Sequence, residues 1–228
     1  MALQVAVLAL APAHPALAQV SPTAAEAAAY GGLHKAAWTG DVATIERLAA
    51  QPGAKAQLEA RDPQGRTPLH VASFARQRGA VRALLKAGAD TAALEGGRYD
   101  AVTIAAVAGD DETLVLLLAG GASAKLVTSR YDGTALIAAA HLGHEGVVRQ
   151  LIKAGAPLDH VNNLHWTALI EAVVLGDGGP RHQGVVRELL AAGASRELAD
   201  RGGQTPLQLA RAHGYAVMVR LLETPAAR

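Results

Sequence analysis

Apolar residues along this chain fall in short bursts. Each is long enough for one face of a small helix, and glycines and polar turns separate them. The clearest stretch runs from Thr67-Pro68-Leu69-His70-Val71-Ala72 to Leu84-Leu85-Lys86-Ala87-Gly88-Ala89-Asp90. Its pattern predicts two short helices written back to back. Thr67 is placed as an N-cap whose hydroxyl accepts from the first turn. Pro68 sits at the first helical position, where a missing N–H costs nothing. Val81, Leu84 and Leu85 share one face of the second helix, and Gly88 follows as a left-handed C-cap. So small a pair cannot bury its apolar face alone and needs copies of itself on either side.

The copies are present. The N-cap position recurs at Thr67, Asp100, Thr134, Thr167 and Thr205, at spacings of 33, 34, 33 and 38 residues, a period that marks a stacked array. Five residues after each stands an alanine: Ala72, Ala105, Ala139, Ala172 and Ala210. A residue that small lets helices of neighbouring units approach closely. The second helices repeat one triad, as Val81/Leu84/Leu85, Leu114/Leu117/Leu118, Val148/Leu151/Ile152 and Val186/Leu189/Leu190. A degenerate earlier copy around Leu33-His34-Lys35-Ala36-Ala37, with Ile45 and Leu48, brings the expected number to six.

These residues resemble the ankyrin repeat, whose pattern is Thr-Pro-Leu-His-x-Ala, a Gly closing the first helix, Val-x-x-Leu-Leu in the second, then Gly-Ala-Asp. Thr67 to Asp90 follows it nearly throughout, and the resemblance extends over about residues 30–224. It implies an all-α solenoid of stacked helix-turn-helix repeats with β-hairpin fingers between consecutive pairs. It also implies protein–protein recognition on a concave face of fingers and first helices. The units are expected at about 30–61, 62–94, 95–128, 129–161, 162–199 and 200–224. Residues 1–18 are expected to be a signal peptide, 19–29 a linker or short N-terminal helix, and 225–228 a tail.

Three departures carry expectations. Arg76 occupies the slot filled elsewhere by Gly40, Gly109, Gly143, Gly176 and Gly214, so the first helix of that unit is open to running on toward Gly79. The fifth unit carries five extra residues, about Asp177-Gly178-Gly179-Pro180-Arg181, expected to form a flexible loop. The last unit puts Arg211 and Glu223 in slots that a further unit would bury, which predicts a solvated terminal cap.

Composition narrows the function. The chain of 228 residues is half apolar but only 3% aromatic, which suits closely packed small helices. A formal net charge of +1 gives no whole-molecule field toward nucleic acid. There is no cysteine, so disulfides, thiolate metal sites and cysteine nucleophiles are excluded. No stretch matches a nucleophile elbow, a phosphate-binding loop or a His-Glu-x-x-His helix. Of nine histidines, His34 and His70 fill the resembled family's Thr-Pro-Leu-His slot, which implies local bonding to the hairpin turn, and His144 and His182 open second helices. His141, His160 and His165 are the candidates for a shared metal and hence for an enzyme subunit. No carboxylate stands beside them at a ligand spacing, and the expectation is no metal, no cofactor and no catalysis.

The aromatic residues suggest a surface. Tyr30, Tyr99 and Trp166 directly precede N-cap slots, Tyr131 lies in a finger, and Trp38 and Phe74 lie seven residues after their N-cap slots. Arg61, Arg66, Arg98, Arg130 and Arg201 fall in the same finger segments. Tyr, Trp and Arg dominate binding hot spots. Trp38, Arg66, Phe74, Tyr99, Arg130, Tyr131, His141 and Trp166 are therefore the candidate contacts for one protein partner, the chain itself being expected as a monomer. The alternative is that the aromatics shield finger bases and pack unit to unit.

The N-terminus supplies a location. Leu3 to Leu10 is an apolar run, and Ala16-Leu17-Ala18 before Gln19 fits a small-residue cleavage site. A periplasmic or secreted protein is expected. No Lys or Arg precedes the run, which keeps open a cytoplasmic adaptor or effector with a plain Ala/Pro tail. The run is too short to span a bilayer.

Overall fold

The computed structural model describes residues 19–224. The expected signal peptide and the tail after residue 224 lie outside the described residues.

The chain opens with α1 (Ala24–Ala29), started by a capping box in which Thr23 and Glu26 exchange bonds. Six helix pairs follow: α2 (Gly32–Thr39) with α3 (Val42–Ala49), α5 (Pro68–Phe74) with α6 (Arg78–Lys86), α7 (Ala101–Val107) with α8 (Asp111–Ala119), α9 (Ala135–His141) with α10 (Glu145–Lys153), α11 (Ala168–Val174) with α12 (Pro180–Ala191), and α13 (Pro206–Ala212) with α14 (Ala216–Glu223). A short extra helix, α4 (Ala54–Leu58), closes the first unit, and nothing in the repeat pattern predicted it.

First helices stack on first helices, in the order α2, α5, α7, α9, α11, α13. Second helices stack likewise, from α3 through α6, α8, α10 and α12 to α14. The recurrent alanine makes this possible: Ala72, Ala105, Ala139, Ala172 and Ala210 have no exposed surface at all. The first two members of each second-helix triad are fully buried, and Leu85, Leu118 and Ile152 lean half-buried on the same continuous core. At the far end Arg211 reaches Glu223 at 2.6 Å across the open face, so the two charged slots pair with each other in solvent.

Several details correct the sequence expectations. The first helix of the second unit does not run on toward Gly79: α5 ends at Phe74 and Arg76 itself turns left-handed, with φ +53°. Its guanidinium donates to Ala108 O in the next unit at 2.7 Å, offsetting a conformation that costs roughly 1–2 kcal/mol. In the fifth unit the left-handed residue is Gly178, not Gly176. The extra residues there are not all loop, because Pro180 and Arg181 begin α12, and Asp177 Oδ1 binds Gly179 N–H and His182 Nδ1. Of the fingers, only β1 (Val127–Thr128) with β2 (Gly133–Thr134) forms paired strands among the described residues.

Candidate binding surface

The fingers share one turn. Asp62, Glu95, Ser129, Asn162 and Asp200 recur at the same spacings as the N-caps, and each side-chain oxygen accepts the N–H groups two and four residues on. The residue three after each acceptor is left-handed: Gly65, Arg98, Asp132, His165 and Gly203. The three middle fingers therefore hold non-glycine residues where glycine is comfortable. Arg98 and Asp132 form an ion pair across adjacent fingers at 3.3 Å. In the sequence this turn is a period of polar residues written with four residue types, so no single motif marks it.

Adjacent fingers are stitched through the main chain. Gly96 N–H donates to Gln64 O at 2.7 Å, Ser129 N–H to Arg98 O at 2.8 Å, and Asn163 N–H to Tyr131 O at 2.9 Å. Arg61 bonds both Gly65 O and Leu94 O, and Arg201 reaches Asn163 O at 3.1 Å. The finger row is thus one continuous edge along the array.

The histidines serve that edge. His70 Nε2 faces two acceptors, Ala93 O and Tyr99 O, so it carries the proton, and Nδ1 is left to accept from Thr67 N–H. Burial pushes its pKa down to about 4. His34 Nε2 reaches Arg66 O at 2.9 Å. Both imidazoles bond forward to the next unit's finger rather than only to their own turn. His144 and His182 also reach carbonyls of the preceding unit, and His160 reaches Asp132 O in the finger of its own unit. Among the described residues, no three His, Asp or Glu side chains are grouped to hold a metal, so His141, His160 and His165 are not brought together around one. His141 instead stands 3.4 Å from Glu171, a buried carboxylate that also accepts from Asn162 at 2.8 Å. Glu171 was not anticipated as a member of this surface.

The candidate contacts divide by their surroundings. Arg66 must be corrected: its side chain is 0% exposed, enclosed by Asp62, Gln64, Glu26 and Val20 O. Burial raises the Asp62 carboxyl, but Arg66 N–H, the Tyr30 hydroxyl and the guanidinium outweigh it and hold that group below the usual carboxylate range. Arg66 is an internal tie, covered as long as Val20 and Glu26 lie over it. Trp38 and Trp166 are half-buried against the continuous core, as is Tyr30, which donates to Asp62 at 2.7 Å. Phe74, Tyr99 and Tyr131 are half-buried but lie outside that core, and Arg130 is exposed. Tyr99 lies within electrostatic reach of Arg130 and Tyr131 on the next finger. Burial and the Glu95 carboxylate raise the Tyr99 hydroxyl's pKa, and the positive charge of Arg130 opposes them.

The same architecture occurs in known proteins. The chain is 44% identical to a crystallised ankyrin repeat domain from Acinetobacter baumannii AYE, with a TM-score of 0.78 over 83% of this chain and 95% of that one. A second crystallised ankyrin repeat protein matches at 31% identity and a TM-score of 0.77, covering 84% of this chain and 96% of that one. The ankyrin repeat protein YahD of Escherichia coli (strain K12) is 34% identical over 162 residues, 71% of this chain and 80% of that protein. The family profile described as ankyrin repeats (3 copies) matches residues 19–94 and 102–195, and with it the chain belongs to the ankyrin-repeat family.

Proposed function

We propose that this protein is an exported, non-catalytic scaffold. As a monomer, in the periplasm or secreted, it docks one protein partner on its finger and first-helix face. Ankyrin repeats point to protein–protein interaction in general. The observation that supports this particular face is that Tyr99 and Tyr131 are half-buried outside the core on adjacent fingers, with exposed Arg130 between them in the chain and within electrostatic reach of Tyr99. Such a surface supplies rigid apolar area together with bidentate bonding to carboxylates. The ring nitrogens of His34, His70, His144, His160 and His182 are engaged with main-chain carbonyls, a structural use of histidine rather than a catalytic one.

A photo-crosslinking residue in place of Tyr131 tests the face. It should trap one protein in the native cell, while the same residue in place of Arg82, on the exposed side of α6, should trap none. Equal trapping at both positions would reject the assignment. Export rests on Leu3–Leu10 and Ala16-Leu17-Ala18. Protein recovered from its own cells should begin at or near Gln19, and an intact Met1 on abundant cytosolic protein would reject export.

A further inference from the structure

The sequence offered Arg66 as a partner contact, and the structure fills its place with the chain's own N-terminal arm. Val20 O accepts from Arg66 Nη1 at 3.1 Å, and Glu26 Oε1 lies 3.1 Å from Nη2. Between them Pro22 is buried. Gln19 and Ser21 line a cleft of about 240 Å³ with Phe74, Ile104 and Val107 of the first helices α5 and α7, and with Arg76 and Ala108 just beyond those helices. Ile104 is only 1% exposed, yet it is not part of the continuous core.

The arm is seated lightly. Helix α1 buries none of its own residues. The Gln19 side-chain amide nitrogen is buried without a hydrogen-bond partner among the described residues. A few polar ties and one buried proline hold the segment on a surface that already has the features of a peptide site: a guanidinium for a main-chain carbonyl, the same guanidinium for a carboxylate, and an apolar cleft beside it.

We propose that the surface under the arm, made of Arg66 and the Phe74, Ile104 and Val107 wall of this cleft, is a subsite for a carboxylate-bearing peptide segment, and that residues 19–26, whose Glu26 lies in the first turn of α1, are its built-in occupant, competing with the partner segment that binds there. The proposal rests on the reading that the finger and first-helix face receives a partner, although its test does not require that partner.

The probe is a fluorescein-labelled peptide of residues 19–30 of this chain, followed by anisotropy on the unaltered protein and on a Pro22→Ala/Glu26→Gln variant whose own arm is weakened. The variant should bind the peptide at least tenfold more tightly than the unaltered protein. The peptide carrying Glu26→Gln should lose at least fivefold. Equal affinity for both proteins, or binding to neither, overturns the proposal. Should the weakened-arm variant melt early, Glu26→Gln alone gives a second route, since it removes the carboxylate from Arg66 and keeps Pro22 in place. It should bind the peptide at least threefold more tightly than the unaltered protein, and equal affinity likewise overturns the proposal. Failure here leaves crosslinking at position 131 unaffected, because Tyr131 is not among the residues that line the cleft.

Discussion

Arg66 Nε lies 2.6 Å from Asp62 Oδ2, and neither side chain is more than 3% exposed. The pair closes the finger that joins the first and second units and receives the N-terminal arm from the other side. Removing one partner of such a pair leaves a buried charge without compensation. Arg66→Ala should therefore cost about 3–5 kcal/mol in urea denaturation. Arg201→Ala, on an exposed finger, should stay within about 0.5 kcal/mol. Equal costs would show that Arg66 is not the internal tie described above.

Arg76 holds a left-handed conformation that four other units give to glycine. Arg76→Gly relieves roughly 1–2 kcal/mol of backbone strain and loses one exposed hydrogen bond to Ala108 O, worth about 1 kcal/mol. The net is a neutral to slightly raised melting temperature. Arg76→Ala keeps the strain and loses the bond, so it should melt lower than either. A melting series of the three proteins checks the order.

His70 gives the array a pH dependence with a defined sign. Its folded pKa of about 4 lies below the ordinary value of 6.5, so the unfolded chain binds the extra proton first. The stabilisation is complete above pH 6.5 and is lost as pH falls toward 4, about 3 kcal/mol in all. Urea midpoints at pH 7 and pH 4.5 should differ accordingly, and the His70→Gln variant should lose most of that difference. Asp100 works in the opposite sense. Burial raises its pKa, so its contribution is fullest at low pH and declines as pH rises through the folded value.

The stack was legible in the sequence because one short pattern recurs. Ala72, Val81 and Leu84 lie in slots that the units bury for the same reason, and the charged Arg211 and Glu223 mark slots that stay exposed among the described residues. What escaped was contact between residues that the repeat does not relate. Arg66 reads as an exposed finger arginine until Val20 and Glu26, some forty residues earlier, close over it. Trp38, Trp166, Tyr99 and Tyr131 look alike in a sequence of few aromatics. Only the packing separates the two that lean on the core from the two that do not. Arg76 turned left-handed where local propensity favoured a longer helix, because its side chain finds Ala108 O in the next unit.

The most direct test of the partner face measures affinity and stability on one preparation of Arg130→Ala/Tyr131→Ala. Among the described residues, the hydrogen bonds of these two positions run through main-chain atoms, which the substitutions keep. With the protein trapped at position 131 as purified ligand, the variant should lose about 2 kcal/mol of binding, roughly thirtyfold in Kd. Its melting temperature should stay within about 2 °C of the unaltered protein. A variant that melts much earlier yet binds with unchanged affinity once folded would contradict the account and make these side chains part of the scaffold alone.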